Sequence, residues 1–521
     1  MHQWGVPDKL GGFMERQSIF KVIALMVTGF GIGIDFTGAL MLVPAIENSF
    51  DSDITSTQWV LNIYALFFAM TMVAGGRLGD MYGHRKVMII GLSIFLFASV
   101  LCLVSPGLDY LIGARALQGI GAGCVWPCTL AFGATKVSKP EHRALVMGLI
   151  LAGVTTGNVF GPLISGAAVS FGDWRYFFLA NVIFSSVSMV TAFVLLERET
   201  KHKQGEHIDF AGVGVLSVAV LVLLYGLDVG ADWGWTSAPL LLLFLVSAAL
   251  FVLFPRVEKR VKEPLLLPQL MQNREFLITL GLNMFNVAAA FVGLLYFPQY
   301  MQKVLGWSVF ESALGLAPLT LLLAVGSIVS GTLYNDFGPK RLLFWGYVCA
   351  TVGAASVVVL PAGLGYFQIL PGMAMIGLGA TLTVGPSGTA AVCAVKPERA
   401  GLVGGLSFMT HLVYGAIAVA CATAIMYVTS LASLAKTLAA DGINLSEADQ
   451  KAINGGTLDT PSAQAILQKL SSAEAEKVTS ALATAFDSGM NMAFVFATVS
   501  VSVGIVLALM LDENRLHKVE G

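Results

Sequence analysis

Three residues that can carry a charge lie inside long apolar stretches of this chain. Asp35 is a carboxylate well inside one apolar run, Arg115 is a strong base inside another, and His411 lies in a third. A charged side chain in an apolar run is costly, so it usually has a partner or a water-filled cavity. Burial favours a neutral carboxyl group and a nearby arginine favours a charged one, which suits Asp35 to carrying protons or pairing with a cationic ligand. Histidine can also change its charge near physiological pH.

Each of these residues has a purely structural alternative. Asp35 could cap a helix, and His411 could be an ordinary packed neutral histidine. Arg115 could lie near a helix end, where its long side chain would reach the membrane–water interface. Other polar side chains in the runs are candidates for lining a cavity. They are Asn62, Gln118, Asn158, Asn283, Asn286 and Tyr414.

The apolar runs themselves dominate the chain. Its 521 residues are 56% hydrophobic and 12% charged, whereas soluble domains carry roughly 25% charged residues. Runs of about 20 apolar residues are typical of transmembrane helices, and we count fourteen. The net charge of -2 gives no indication of a nucleic-acid partner. The sequence therefore predicts an all-α polytopic membrane protein.

A short charged loop occurs twice. Gly76–Lys86 is GRLGDMYGHRK, and Gly331–Arg341, about half a chain length later, is GTLYNDFGPKR. One loop carried twice in one chain predicts two duplicated, parallel halves. The residues singled out as a gating loop are Gly76, Asp80, Gly83, Arg85 and Lys86 in the first copy, and Asp336 and Arg341 in the second.

The runs and the repeat divide the chain into a 6 + 2 + 6 arrangement. If the N-terminus is cytoplasmic, most of the 30 Lys and Arg residues fall in cytoplasmic segments, as the positive-inside rule requires. The predicted segments are a cytoplasmic N-terminus at 1–19, a six-helix half at 20–196, a two-helix insertion at 208–255, a second six-helix half at 276–511 with an external helical loop at 435–488, and a cytoplasmic tail at 512–521.

The predicted external loop contains helical signals. Thr460 and Pro461 fit an N-cap and a first helical residue, and Ser471 with Glu474 fits a capping box. We expect a small helical hairpin on the outer surface, with a solvated mobile loop as the alternative. An apolar stripe supports the hairpin and consists of Val478, Leu482 and Phe486.

Two stretches have a spacing that suits movement between helices. Asp80 can accept hydrogen bonds from helix N-terminal amides, or pair with Arg85 and Lys86, and so hold the two halves together. A basic loop that only sets topology is the alternative.

In the fifth run, small residues recur every four positions and form a face for close helix packing. The antiporter-helix candidates there are Gly153, Gly157, Gly161 and Pro162.

These stretches resemble the motifs of one transporter family. Gly76–Lys86 is similar to the signature between spans two and three of major facilitator superfamily transporters. Arg115–Gly119 resembles that family's arginine motif in span four, and Gly153–Gly166 resembles its antiporter signature in span five. Two further segments resemble motifs of its fourteen-span drug:proton antiporter branch, namely Asp35-Phe36-Thr37 and Trp174–Phe178 with Asn181.

The resemblance implies a proton-driven transporter with the major facilitator fold. Such a protein exports drugs or other amphipathic or cationic compounds by alternating access, with the proton gradient as its energy source and no cofactor. It is expected to be a monomeric integral protein of a bacterial inner membrane, whose partners are a small-molecule substrate, protons and lipid. Some relatives carry an aspartate where Asn62 stands, so dicationic substrates are disfavoured.

Two alternatives to drug export stay open. One is a proton-coupled transporter of a specific metabolite with the same fold, and the other is a non-transporting membrane sensor or scaffold. Enzymatic activity is not expected. The sequence has no GxxxxGK[ST], HExxH or paired CxxC motif, so nothing in it indicates ATP-driven transport or membrane hydrolysis.

Overall fold

The computed structural model of the protein describes residues 16–52, 54–137, 143–197, 210–261, 272–307, 309–359, 365–395, 400–443, 445–446, 449–450, 453–454, 466–468 and 470–513. Within these ranges the chain is helical and contains no strand, which confirms the prediction of an all-α protein. The helices are α1 Arg16–Gly38, α2 Val43–Phe50, α3 Ile54–Tyr82, α4 His84–Leu103, α5 Leu108–Phe132, α6 Arg143–Ser170, α7 Arg175–Leu195, α8 Phe210–Trp233, α9 Ala238–Glu258, α10 Arg274–Phe285, α11 Ala288–Lys303, α12 Val309–Gly315, α13 Ala317–Phe337, α14 Pro339–Val359, α15 Tyr366–Cys393, α16 Ala400–Ala440 and α17 Ser472–Met510.

Most of these helices are long and apolar enough to span a membrane. In the described ranges there are 12 such helices, or 13 if the bent pair Ala317–Leu323 and Ile328–Tyr334 forms one span. The helix α5, which carries Arg115, is 25 residues long but is not among them. The polytopic membrane fold is therefore confirmed, whereas the predicted count of fourteen spans is not.

The helices pack in the same order in both halves. In the first half α5 lies against α3 and α4, and α4 also contacts α7. In the second half α15 lies against α13 and α14, and α14 also contacts α17. The predicted duplication is thus visible in the packing, while the exact segment boundaries stay predictions.

Two pairs of helices make most of the contacts between the halves. The helix α3 contacts α16, and α6 contacts α13. The helices α8 and α9, between the halves in sequence, pack against each other, and α8 also contacts α3. Leucines of α9 such as Leu242 and Leu245 are more than half exposed, as expected of a helix that faces lipid tails.

The last two helices extend into the predicted external loop. The helix α16 continues to Ala440 and α17 begins at Ser472, so the helices take up part of 435–488. The Ser471 N–H donates to Glu474 Oε2 at 2.9 Å, and the Glu474 N–H donates to Ser471 Oγ at 3.3 Å, which confirms the capping box. Thr460 and Pro461 lie outside the described residues. The segment has its own apolar core, made of Leu434, Leu438, Ile443, Ile453, Ile466, Val478, Ala481 and Ala485.

Candidate functional site

An ion pair between Asp35 and Arg115 lies inside the first half. Arg115 Nη1 donates to both carboxylate oxygens of Asp35, at 2.8 Å each. Arg115 Nε donates to the backbone oxygen of Val60 at 3.0 Å. Asp35 is fully buried and Arg115 is 1% exposed, so each charge is compensated by the other and not by solvent. Sequence reasoning selected these two residues separately, and the fold brings them together.

Two buried amide side chains complete the hydrogen bonding of this pair. Gln118 Oε1 accepts from Arg115 Nη1 at 2.7 Å, and Gln118 Nε2 donates to Ser99 Oγ at 2.9 Å. Asn181 Nδ2 donates to Asp35 Oδ1 at 2.5 Å. A buried ion pair needs such extra hydrogen bonds to offset the loss of hydration. The four helices α1, α4, α5 and α7 together therefore position the carboxylate.

An aromatic ring covers the arginine. The guanidinium carbon of Arg115 lies 4.2 Å from the ring centroid of Tyr64, within the range of a cation–π interaction. A guanidinium does not lose its proton in a protein, so Asp35 is the member of the pair that can change charge. Val60 and Gln118 would still bind Arg115 if Asp35 were neutral. Arg115 is thus bound by Val60 and Gln118 as well as by Asp35.

The glycine face of α6 packs on α1, the helix that carries Asp35. A Cβ added at Gly157 would lie 2.2 Å from the backbone oxygen of Phe30, and one at Gly153 would lie 2.6 Å from that of Met26. A larger side chain at either position would push the two helices apart. The close packing predicted for Gly153, Gly157 and Gly161 is thus present, and α1 is its partner.

Polar contacts also join α6 to α1. Thr37 Oγ1 donates to the backbone oxygen of Asn158 at 2.9 Å, and Ser165 Oγ donates to that of Gly38 at 2.7 Å. Pro162 lies within α6. Asn158 thus contacts α1 through its backbone oxygen, while its side-chain Oδ1 is buried. Movement of α6 is therefore coupled to the helix of the ion pair.

Asp80 bridges the two halves. Its Oδ1 accepts from the N–H of Gly401 at 2.8 Å, and its Oδ2 accepts from the N–H of Leu402 at 2.7 Å. Both amides lie at the start of α16, where N–H groups lack intrahelical partners and the helix dipole favours an anion. His84 Nε2 lies 3.0 Å from Asp80 Oδ1. Of the two predicted arrangements, the structure contains the one with helix amides.

The rest of the first loop supports this bridge. A Cβ added at Gly76 would lie 2.2 Å from the backbone oxygen of Gly401, so only glycine permits this approach. Gly83 has φ 95°, which favours glycine. Arg85 Nη2 donates to the backbone oxygen of Phe193 at 2.7 Å, and Lys86 lies over the ring of Tyr82. The basic residues therefore bind within the first half.

The second copy of the loop is arranged differently. Gly338 has φ 78° and repeats the turn of Gly83. Asp336 and Arg341 are exposed. The N–H of Lys340, at the start of α14, donates to Glu513 Oε1 at 2.7 Å, so an acid beyond the last helix binds there. The two loops share a turn but differ in their carboxylate contacts.

His411 belongs to a second polar network, in the other half. His411 Nδ1 lies 3.1 Å from Asn286 Oδ1, and Asn286 Nδ2 donates to Ser387 Oγ at 3.1 Å. Ser387 Oγ in turn donates to Asn283 Oδ1 at 3.1 Å. The predicted residues His411, Asn283 and Asn286 are thus brought together. Tyr414 instead contacts Ser500 through its hydroxyl.

Aromatic rings connect the two networks across the halves. Phe408 of α16 stacks on His411 with centroids 5.2 Å apart, and lies 5.1 Å from the Trp126 ring. Phe68 of α3 lies between Tyr64, at 5.7 Å, and Phe408, at 6.5 Å. The ring over Arg115 is therefore linked to the ring against His411. Asn62 is half-buried on α3 and is not part of this chain of rings.

Sequence reasoning missed several partners of the selected residues. Ser99, Ser387 and Tyr64 are ordinary helix residues, and their contacts arise only from tertiary packing. Asn181 was noted within a motif but was not selected as a site residue. Gly401 carried a usable signal, because it lies just after a charged loop at the start of an apolar run, where a helix N-terminus is expected.

A duplicated helical bundle with a buried ion pair and a carboxylate bridge between its halves has the organisation of a secondary membrane transporter. Residues 25–420 match the Major Facilitator Superfamily. The chain belongs to this family and is an integral membrane protein.

Relatives and solved structures agree with this membership. The methylenomycin A resistance protein of Bacillus subtilis is 27% identical over 411 residues, covering 78% of this chain and 88% of that protein. The tetracenomycin C resistance and export protein of Streptomyces glaucescens is 28% identical over 404 residues, covering 77% and 74%. The multidrug resistance protein Stp of Mycobacterium tuberculosis is 26% identical over 389 residues, covering 74% and 72%.

The human organic anion transporter MFSD10 has the same fold. Its crystal structure superimposes with a TM-score of 0.63 at 14% identity, covering 95% of this chain and 100% of that one. FucP in its outward conformation superimposes with a TM-score of 0.58 at 12% identity, with the same coverage.

Proposed function

We propose that this protein is a proton-driven secondary transporter that exports drugs or other amphipathic compounds by alternating access. The observation that carries the proposal is the buried Asp35–Arg115 pair, a carboxylate that can change its charge inside a transporter. The relatives named for methylenomycin, tetracenomycin and multidrug resistance support drug-like substrates. Transport of this kind leaves the substrate chemically unchanged.

Asp35 is the proton carrier in this proposal. Protonation of Asp35 changes the charge of the pair from zero to +1, because Arg115 keeps its proton. The new charge weakens the hold of α1 on α5, the two helices that the pair joins. One charge crossing 100 mV is worth about 2.3 kcal/mol, which is the free energy available to drive the cycle.

Asp80 acts as a latch between the halves. A carboxylate at a helix N-terminus stabilises its contact by about 0.3–1 kcal/mol, and by up to about 2 kcal/mol when partly buried. This is within the energy that one proton supplies. The latch can therefore hold the halves together at this end of the bundle and still open once in each cycle.

The substrate cavity lies between the halves in this proposal. His411 and Asn286 of the second half, with Phe408 and Trp126 at the boundary, offer hydrogen bonds and flat apolar surface. Such a combination fits amphipathic compounds. His411 is assigned here to substrate contact, because its Nδ1 faces an amide oxygen.

The remaining assignments extend the same proposal. We place the protein as a monomer in the inner membrane of a bacterium, with both termini in the cytoplasm, because most Lys and Arg residues fall in the segments that this orientation makes cytoplasmic. The latch is then at the cytoplasmic face. No cofactor is assigned, and the proton gradient supplies the energy.

Transport by purified protein in proteoliposomes tests the proposal. With a panel of dyes and antiseptics, an imposed pH gradient should drive accumulation, and a proton uncoupler should abolish it. The variant Asp35→Asn should lose gradient-driven transport but retain substrate binding. Asp336→Asn, which changes an exposed acid, is the matched control and should transport normally.

Other outcomes would contradict the proposal. Full gradient-driven transport by Asp35→Asn would exclude Asp35 as the carrier. Transport of one metabolite and of no dye would favour a specific metabolite transporter. Absence of transport for every compound, with the protein correctly inserted, would favour a sensor or scaffold.

A further inference from the structure

A small cavity lies beside the ion pair, inside the first half. The centre of a water molecule can occupy about 10 Å³ of it, and a site needs roughly 10–15 Å³ of such space to hold one water. The helices α1, α4, α5 and α7 line it, and the second half contributes no described lining residue. The cavity is therefore separate from the boundary between the halves.

Four of the residues that line this mainly apolar cavity are polar. Its polar lining residues are Thr28, Asn181, Ser185 and Ser188, and all four are buried. Asn181 also donates to Asp35 from its Nδ2, while its Oδ1 is buried and has no hydrogen-bond partner among the described residues. An unpaired buried carbonyl oxygen is costly, so a donor in the cavity would satisfy it.

Two of the lining hydroxyl groups donate their hydrogen within their own helix. Thr28 Oγ1 donates its hydrogen to the backbone oxygen of Ala24 at 2.9 Å, and Ser185 Oγ donates to that of Asn181 at 2.6 Å. Each hydroxyl oxygen can still accept a hydrogen bond. With Asn181 Oδ1, these lining residues can accept hydrogen bonds from a small donor. Water and the hydronium ion can both donate such bonds.

The cavity begins at Asn181, which contacts Asp35, and its polar lining residues continue towards the end of the bundle that carries the Asp80 latch. Thr28 precedes Asp35 by two helical turns, or about 10 Å along α1. Ser185 and Ser188 follow Asn181 by one and two turns on α7, which runs in the opposite direction. The polar side chains therefore form a column that ends at the carboxylate.

We infer that this cavity holds a water molecule through which Asp35 exchanges its proton with the latch side of the membrane. During export the protonated Asp35 gives its proton to this water, so that the O–H bond at Asp35 breaks, another forms on the water, and the hydronium ion leaves towards the latch side. The reverse transfer, from a hydronium ion to the Asp35 carboxylate, occurs when the latch side is acidified. Asn181 is a positioning residue that must rotate away from Asp35 Oδ1 to admit the water. The inference rests on the proposed proton role of Asp35.

The charged and titratable groups around Asp35 are compatible with this route. Arg115 of α5 holds the carboxylate before transfer and keeps its charge afterwards. Tyr64 of α3 covers Arg115, and Cys102 of α4 contacts Gln118 rather than the cavity. Protons then move between Asp35 and the latch side without passing through the space that the substrate occupies. A proton on Asp35 and a substrate between the halves can therefore be bound at the same time.

Two substitutions change the cavity in different ways. Thr28→Val keeps the side-chain shape and removes an acceptor. Gly31→Ala adds a methyl group at a lining position, where a Cβ would lie 3.7 Å from Phe184 Cβ, an ordinary contact. The controls are Ser186→Ala, whose hydroxyl donates to the backbone oxygen of Val182 at 2.7 Å away from the cavity, and Gly113→Ala, where a Cβ meets nothing within 4 Å.

The test follows protonation of Asp35 after a rapid pH drop, by time-resolved infrared spectroscopy of the full chain in lipid vesicles without substrate. The carboxylic-acid band of Asp35 is identified by its loss in Asp35→Asn. We expect Thr28→Val and Gly31→Ala to slow its appearance by about a hundredfold or more, the scale of a lost proton-transfer partner, with the same final amplitude. Both controls should keep the wild-type rate. Thr28→Ser, which retains the hydroxyl group, should also keep it.

Each contrary result has a distinct meaning. If the band forms at the wild-type rate in both cavity variants, Asp35 carries protons but the cavity is not their route. If the wild-type protein shows no Asp35 band at any pH, the proposed proton role of Asp35 fails and the route fails with it. If sodium ions at fixed pH suppress the band in the wild type but not in Thr28→Val, the cavity is a sodium site instead.

Discussion

Asp80 Oδ1 lies 2.8 Å from the backbone nitrogen of Gly401, although the two residues are 321 positions apart in the chain. Gly401 has no side chain, and a Cβ there would lie 2.6 Å from this same carboxylate oxygen. The contact thus requires an acid on α3 and a glycine at the start of α16. The Asp80 carboxylate thus connects the end of α3 in the first half to the beginning of α16 in the second.

The first prediction concerns the charge of this contact. Asp80→Asn keeps one acceptor but loses the attraction between a carboxylate and the helix N-terminus, about 0.3–1 kcal/mol and up to about 2 kcal/mol when partly buried. The population with the latch closed should fall by about twofold to thirtyfold relative to the open one. Transport should slow, because each cycle must pass through the depopulated closed state, while substrate affinity stays largely unchanged. Distances between spin labels on the two halves, measured by pulsed electron resonance, check the shift.

Asp336→Asn is the matched control for this prediction, because Asp336 occupies the related position in the second loop but is exposed. It should leave the distance distribution unchanged. A loop that only sets topology would give the wild-type distance distribution for both variants. That result would contradict the role of Asp80 as a latch.

The second prediction concerns the glycine face of α6. At Gly157 a Cβ would lie 2.2 Å from the backbone oxygen of Phe30, so Gly157→Leu must displace α1 and the Asp35 that it carries. Transport should be abolished while insertion into the membrane continues. Transport in proteoliposomes and the amount of protein in the membrane check this. Gly166→Ala, where a Cβ meets nothing within 4 Å, should transport normally, and equal loss in both variants would exclude a specific role for the face.

The third prediction concerns the stability of the ion pair. Arg115→Gln leaves Asp35 buried without its cation, and breaking a buried pair in this way costs about 3–5 kcal/mol. The double variant Asp35→Asn/Arg115→Gln carries no unpaired charge and should recover most of that stability. Thermal unfolding of the detergent-purified protein compares the variants. Destabilisation of the double variant by the sum of the two single losses would mean that the two side chains are not energetically coupled.

Much of this architecture follows from local sequence patterns. The apolar runs indicate membrane helices, and the recurrence of Gly76–Lys86 indicates a duplicated fold, because both signals lie within short segments. The capping box at Ser471 and Glu474 was predictable for the same reason. The number of spans was less accessible, since α5 combines Arg115 with several glycines and α13 is bent.

The pairing of the site residues could not be predicted in this way. Asp35 and Arg115 are 80 positions apart, and nothing in either segment specifies the other as its partner. Their contact depends on how α1 and α5 are placed, which the glycine face of α6 helps to set. Gly401 is a similar case, since its role comes from the space it leaves for Asp80. The sequence marks Gly401 as the start of a helix, but nothing in it specifies Asp80 as the partner of that helix end.

The last prediction separates substrate contact from proton transfer at His411. Its Nδ1 lies 3.1 Å from Asn286 Oδ1, and its ring stacks on Phe408. His411→Gln can keep a hydrogen bond to Asn286 but cannot titrate or stack, and an aromatic pair is worth about 0.5–1.5 kcal/mol. We therefore expect KM to rise by about twofold to tenfold, while the dependence of transport on pH stays that of the wild type. Transport rates over a range of pH and substrate concentration measure both quantities, with Asp35→Asn as the variant that should lack gradient-driven transport at every pH. A flattened pH profile in His411→Gln would instead make His411 a proton carrier, because the substitution removes the only group at this position that can change its charge.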